Sequence, residues 1–410
     1  MPAEIDNTSM VGWNLFRPEA LSNQIGLSPR AQTLYGWFAG FIAFSVPWSD
    51  MVELPYSVQF TRPLVILAVF SWLLSWRSGN VVRPANFPIY AMSLFVILVP
   101  CHFLFADDPE RTGRRLLSYI GLFLMTFFIY QAVRTWEMYT LVLRSFIAGC
   151  CIPLVGLAWN FMNGVAQGDG RFTATGFDPN DLAGQLALSI PTAAYLAINL
   201  PKRGIWFWLY LPLAVAGVLL TASRSGLVIL LLACIYPLLG LIRRTKNSKI
   251  GILGSLVCAG LGVYSLSSDI SFHRLGTLGD EISRRDMNGR GTVWNNGLDL
   301  FWQNPILGIG AGSFSGTVGG GIRMAAHNTY LEILVEHGAI GLTVFLTILA
   351  GLILKTKRYP LDERLLWWIT LGCWMILVAT LSWENREITW LIWGLCISFV
   401  DRVPKQRIIR

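Results

Sequence analysis

Charge is scarce in this 410-residue chain. Asp, Glu, Lys and Arg make up 14% of it, against about 25% in soluble domains. Lysine is scarcest, six of the 32 basic residues. No GxxxxGK[ST] loop is present, which excludes the common intracellular nucleotide cradle. There is no HExxH and no DxD, and the four histidines and seven cysteines show no metal spacing. The cysteines (101, 150, 151, 234, 258, 373, 396) make no CxxC pair and lie almost wholly in apolar runs, where they read as small packing residues. The first 30 residues lack the charged–apolar–small pattern of a signal peptide, so none is expected. No internal repeat or low-complexity tract is visible, which weighs against a paired-repeat transporter.

Apolar residues are abundant: 54% of the chain, 17 tryptophans among them, with a mean hydropathy of +0.52. Runs such as "LLSYIGLFLMTFFIYQAV" and "GLVILLLACIYPLLGLI" can cross roughly 30 Å of hydrocarbon as helices. They are continuously apolar rather than alternating, which selects helices over a β-barrel. The expected fold is therefore all-α, a polytopic membrane protein with about twelve transmembrane helices. The spans fall near 31–48, 61–76, 87–105, 115–133, 138–161, 181–199, 204–222, 225–242, 250–266, 327–354, 365–382 and 388–400. The simplest organisation is a single polytopic membrane domain over 1–410, with a long outer loop at 267–326 between spans 9 and 10. The polar "SWENRE" leaves the boundaries of the last two spans the least defined.

With the N-terminus inside, the inner segments hold 19 of the 32 basic residues, and both termini are expected in the cytoplasm. All six lysines fall inside, and every basic residue outside is arginine. Arginine offers a planar fork of donors suited to phosphate or carboxylate. The asymmetry points to an anionic ligand outside, with chance and local ion pairing to Asp280, Glu281 and Asp286 as the plain alternative.

Three stretches stand where chemistry could occur. In "TASRSGLVIL", Arg224 sits in a tight turn between two spans, either on a substrate path or snorkelling to the headgroups. In "NGRGTVWNNGLDLFWQNPILGIG", Trp294, Leu298 and Phe301 recur at helical spacing, as in a short amphipathic helix lying on the membrane, and Arg290 precedes its first turn. The glycines of "GIGAGSFSGTVGGG" read as a tightly turning connection. In "AAHNTYLEILVEHGAIGL", Thr329 and Glu332 fit a capping box that opens the tenth span. That leaves His327 unexplained: a structural residue at a helix start, or an imidazole able to take a proton from a sugar hydroxyl. His337 reads as a buried polar residue in mid-helix. In "GRFTATGFDPNDLAG", Asp178, Pro179 and Asp181 suit N-cap, N1 and N3 of the sixth span, with Arg171 and Asn180 as candidate ligand contacts.

Taken in order, "FDPNDLAG", "SRSG", the "GR" that precedes Trp294, "NPILGIGAGSF" and "HNTYLEILVEHGAIGL" resemble the O-antigen ligase and O-antigen polymerase superfamily of bacterial glycosyltransferases. The resemblance spans roughly residues 165–345. It implies a GT-C-like membrane fold, with short amphipathic helices in the outer loop, and transfer without metal or other cofactor on the outer face of the bacterial inner membrane. The implied donor is a glycan on undecaprenyl diphosphate. The implied acceptor is lipid A–core in a ligase, or another carrier-linked glycan in an O-antigen or exopolysaccharide polymerase; the ligase-type reading comes first and the polymerase second. By motif, Arg224 and Arg290 would hold the diphosphate and His327 would assist the acceptor hydroxyl, a catalytic set of His327, Arg290 and Arg224. Arg171, Asn180, Arg285, Arg323 and Asn328 are the candidate substrate contacts. Membrane lipids and a chain-length-regulating protein are the further partners; no nucleic acid is expected. The rival readings are a polysaccharide or lipid transporter and a non-catalytic assembly partner.

Overall fold

The computed structural model describes residues 29–52, 59–74, 82–106, 108–167, 170–200, 204–243, 254, 290–318 and 325–400. Among the described residues all regular structure is helical. In chain order the helices are α1 (Pro29–Ser45), α2 (Thr61–Leu74), α3 (Phe87–Leu98), α4 (Pro109–Ala132), α5 (Trp136–Met162), α6 (Pro179–Asn199), α7 (Gly204–Leu220), α8 (Arg224–Ala233), α9 (Ile235–Arg243), α10 (Arg290–Gln303), α11 (Phe314–Thr317), α12 (Thr329–Thr356), α13 (Leu361–Leu377) and α14 (Glu387–Ile397). Short 3₁₀ turns, Val46–Met51 and Val99–Leu104, extend α1 and α3. The expected spans coincide with these helices, except the one near 250–266, which lies almost wholly outside the described residues.

Local chemistry sets the helix starts. Asn86, Asp108, Thr135, Asp178, Ser223 and Asn328 each accept a backbone N–H of the following first turn. Proline occupies the first or second position of α3, α4 and α6, where its missing N–H costs no hydrogen bond. Among the described residues four helical stretches are long and apolar enough to cross a membrane: Phe87–Leu104, Pro109–Ala132, Trp136–Met162 and Thr329–Thr356. Large apolar side chains including Ile66, Phe70, Ile97, Val155, Trp159, Leu213 and Leu231 are exposed. An apolar surface of that extent belongs against lipid rather than water.

α6 is the centre of the bundle, buried from Leu182 to Ala197 and packed on α5, α7, α8 and α13. Small residues allow the close approach: a methyl group at Gly184 would meet Leu377 at 2.6 Å. A second, smaller core lies under the 290–318 segment, formed by Val293, Ile309, Phe314, Val318, Ala326, Leu331 and Val335.

This smaller core forms where α12 is interrupted. Gly338 has φ 66° and ψ −168°, which breaks the helix and exposes the carbonyls before it. The "NPILGIG" segment fills the gap: Ile309 N donates to Val335 O and Gly310 N to Glu336 O, each at 3.0 Å, while Ala339 N donates to Pro305 O at 2.9 Å. The Glu336 carboxylate accepts from Gly312 N at 2.7 Å and Phe314 N at 3.0 Å. The glycine-rich stretch is thus a pinned backbone, not a loose connection.

Two local expectations are corrected. The cap of α12 is Asn328, whose Oδ1 accepts from Leu331 N at 3.1 Å, so no capping box forms. The Thr329 hydroxyl instead donates to Leu381 O and accepts from Trp383 N, both at 2.8 Å, and Glu332 faces Arg115 at 3.6 Å. The packed face of α10 is also not the expected stripe. Val293 and Gly297 are buried, with Trp294, Leu300 and Phe301 partly covered, while Leu298 and Trp302 are exposed.

Candidate active site

Five separate segments meet at one end of the bundle: 171–181 before and into α6, 221–225 at the α7–α8 turn, 290–294 opening α10, 326–329 opening α12, and 378–387 between α13 and α14. Backbone and side-chain bonds join them. Thr329 N donates to Val378 O (2.8 Å) and Leu381 O (3.1 Å). Arg290 Nη1 reaches Thr380 O at 3.5 Å. Trp383 Nε1 and Arg386 Nη2 each donate to the Asp181 carboxylate at 2.8 Å, and Arg386 Nη1 holds Asp50 at 2.8 Å.

Arg290 is the first residue of α10, and its helix is aimed by Trp294, whose indole donates to Ala326 O at 2.9 Å. That bond brings the start of α10 beside His327. The two residues feel each other electrostatically. The His327 imidazole is held below its ordinary range, first by the partial burial around it and then by the Arg290 charge; Asp178 and Asp181 oppose this. Arg290 is itself shifted down by burial and by Arg224, and shifted up by Asp178. The structure therefore brings the three expected catalytic residues together, with Arg290 between Arg224 and His327 and with Asp178 beside Arg290 and His327.

The backbone is unusual at the same place. Among the described residues the non-glycine positions with positive φ are Ala222 (48°) and His327 (47°). Each costs about 1 kcal/mol or more, and such conformations cluster where function over-determines geometry. At Ala222 the turn directs Ser223 to cap α8 and sets Arg224 in its first turn. At His327 it lifts the imidazole ahead of the Asn328 cap, on an exposed part of the segment.

The remaining expected contacts divide. Arg171 is buried, its Nε donating to Thr221 O at 2.9 Å and its Nη2 to Asn180 Oδ1 at 2.8 Å. Ser223 Oγ also donates to that oxygen, at 2.9 Å. Arg171 and Asn180 thus brace the Ala222 turn against α6, and Asn328 is engaged as a helix cap. Arg285 and Arg323 lie outside the described residues. Sequence reasoning missed the 378–387 segment, whose backbone and side chains bond to Asp181, Arg290 and Thr329 at the starts of α6, α10 and α12. Its signal was the charge in "SWENRE", which was read as an ill-defined span boundary.

Chemically, this is a helical membrane protein whose polar end sets Arg224, Arg290, His327 and Asp178 near one another in an otherwise apolar chain. Residues 209–346 match the family described as O-antigen ligase, and that stretch contains Arg224, Arg290 and His327. Over 367 residues the chain is 25% identical to the exopolysaccharide production protein ExoQ of Rhizobium meliloti (strain 1021), covering 82% of this chain and 79% of that protein. The chain is thus similar to the O-antigen ligase family over that stretch and to an exopolysaccharide production protein along most of its length.

Proposed function

We propose that the chain transfers a glycan from a polyprenyl diphosphate to a sugar hydroxyl, at the outer face of the inner membrane, in the assembly of an exopolysaccharide. The observation that carries this reading is the convergence of Arg224, Arg290 and His327 from three distant parts of the sequence onto one polar end. Neutral His327 takes the proton of the acceptor hydroxyl as its oxygen attacks the anomeric carbon. The bond from that carbon to the diphosphate breaks, and its electron pair leaves with the phosphate oxygen. Arg224 and Arg290 meet the charge that develops there, which stabilises the transition state more than the ground state. The proton on His327 is then released to the leaving diphosphate or to solvent. With fixed cations in that role, no metal is assigned to the step.

The expected topology agrees with this chemistry. The arginine-rich end corresponds to the side that the lysine asymmetry puts outside, and the shorter apolar helices complete a bundle of about twelve spans in one domain. The relative that matches along most of the chain is named for exopolysaccharide production, which favours joining of carrier-linked glycans. The ligase reading, with lipid A–core as acceptor, is the second, favoured by the description of the matching family.

The test is transfer in nanodiscs from a glycan-bearing undecaprenyl diphosphate, with and without lipid A–core, beside Arg290→Lys and His327→Ala. A ladder of carrier-bound glycans, lost in His327→Ala and reduced at least ~10-fold in Arg290→Lys, is expected, because lysine keeps the charge but not the two-pronged donor. Product appearing solely on lipid A–core would move the assignment to ligase. Undiminished turnover in both variants would refute the proposed site.

A further inference from the structure

A second arginine cluster lies apart from Arg224 and Arg290. Arg62, Arg111, Arg114 and Arg115 line a cavity of about 380 Å³, with Leu117, Ser118, Gly312 and Asn385 completing its wall. Among the described residues no acidic one lines it. Carboxylates outside that lining pair with three of these arginines: Asp108 with Arg111 (2.8 Å), Glu110 with Arg114, and both Glu384 (2.6 Å) and Glu332 (3.6 Å) with Arg115. Arg62 bonds to neutral partners, Ser118 Oγ at 3.2 Å and Gln59 Oε1 at 3.5 Å. A guanidinium has five N–H donors, and one carboxylate does not occupy them all. The cavity is therefore walled by cations with donors to spare.

We propose that this cavity binds a second lipid-linked diphosphate, the one that carries the acceptor glycan. The inference rests on the transfer reading above and adds the polymerase-type acceptor to it. Three observations carry it. Four converging guanidinium groups fit the charge and multiple oxygens of a diphosphate. Leu117, one turn along α4 from Arg114, is 67% exposed on the apolar surface of a helix long enough to span a membrane, so a polyprenyl chain has a greasy path into the cavity. Asn385 Oδ1 is buried and accepts no hydrogen bond from the described residues, an acceptor suited to a sugar hydroxyl beside the phosphates.

The two arginine sites share one wall. Thr380 O accepts from Arg290, Glu384 holds Arg115, and Asn385 lines the second cavity, all in the turn between α13 and α14. A donor on Arg224 and Arg290 and an acceptor on the second cluster would then meet across that turn, on the His327 side. A transferase with a soluble acceptor needs no second diphosphate site at the lipid edge.

Binding measures this directly. The full chain in phosphatidylcholine nanodiscs is titrated with sugar-free undecaprenyl diphosphate and read by native mass spectrometry, beside inorganic diphosphate and phosphatidylglycerol. Two equivalents are expected for the unaltered chain. One is expected for Arg62→Gln with Arg114→Gln, because removing two charged donors weakens the site at least ~10-fold, and one for Arg290→Gln. Thermal melting of the double variant verifies that it folds. A single equivalent in the unaltered chain, two retained in the double variant, or equal competition by inorganic diphosphate or phosphatidylglycerol would each overturn the proposal. Transfer kinetics separate the two readings. A double variant whose acceptor KM is unchanged while Arg290→Gln abolishes transfer refutes the second site alone; Arg290→Gln with full transfer refutes the proposed function.

Discussion

The Trp294 indole N–H donates to the Ala326 carbonyl at 2.9 Å, and this one bond links the helix that begins at Arg290 to the residue before His327. Neither partner is a candidate for chemistry, yet the bond fixes the separation of two residues that are. Trp294→Phe keeps most of the ring and removes the donor. The stability cost is expected to be about 1 kcal/mol, as for one ordinary hydrogen bond. The activity cost should be larger, on the order of 10-fold in kcat, because a misplaced Arg290 no longer meets the developing charge. Paired melting curves and initial rates test this; equal losses in both, or none in rate, would show that the bond is merely structural.

The same neighbourhood fixes a pH dependence. His327 sits below the ordinary imidazole value of 6.5, through partial burial and Arg290, against the opposing pull of Asp178 and Asp181. A base works as the neutral imidazole, so transfer is lost as pH falls through the folded-state pKa. The acid limb of kcat/KM is therefore expected to have its midpoint below 6.5. Asp178→Asn still offers an N-cap oxygen to α6 but removes a charge that favours the imidazolium. Its midpoint should move lower still. An upward move, or an acid limb unchanged in His327→Ala, would remove histidine as the base.

Much of this site was legible in the sequence because each part is a local motif. Asp178–Pro179 announces a helix start by its own chemistry, and Ser223 before Arg224 does likewise. The expected spans came from continuous apolar runs, which register alone does not blur. What could not be read was anything set by contact between distant segments. Arg171 and Asn180 resemble ligand contacts because an arginine and an asparagine in a polar loop are exposed by default; packing against Thr221 buries Arg171, which in turn bonds Asn180. The Thr329–Glu332 spacing fitted a capping box, but tertiary partners, Leu381 and Trp383 on one side and Arg115 on the other, took both side chains. The "SWENRE" turn had charge but no periodicity, and its role as the shared wall exists only once α13 and α14 are in place.

Arg171 offers a test of positioning as opposed to contact. Its fork spans Thr221 O and Asn180 Oδ1, so one side chain holds both the turn before Arg224 and the first turn of α6. Arg171→Lys can satisfy one of these oxygens at a time, which leaves a buried acceptor without its donor and costs about 1–3 kcal/mol. The expected kinetic signature is a fall in kcat with donor KM altered less than twofold, since Arg171 is buried with its fork turned to Thr221 O and Asn180 Oδ1. A large rise in donor KM with kcat preserved would return Arg171 to the substrate contacts.

Gly338 tests how firmly the outer segment is seated. Its φ of 66° with ψ of −168° lies where side chains are strongly disfavoured, and a Cβ there would collide with the Ile306 carbonyl and stand 2.7 Å from Gly308 N. Gly338→Ala must shift the "NPILGIG" backbone, losing some of the bonds to Val335, Glu336 and Pro305. The strain alone amounts to about 1–3 kcal/mol, and the lost bonds add to it. Since Phe314, Ile309 and Val293 share the small core that carries α10, the displacement propagates to Arg290. Transfer should fall along with the melting temperature, and protease should cut within 290–318 before the main bundle unfolds. Cleavage confined to other segments, with transfer intact, would show that α10 is held independently of the α12 break.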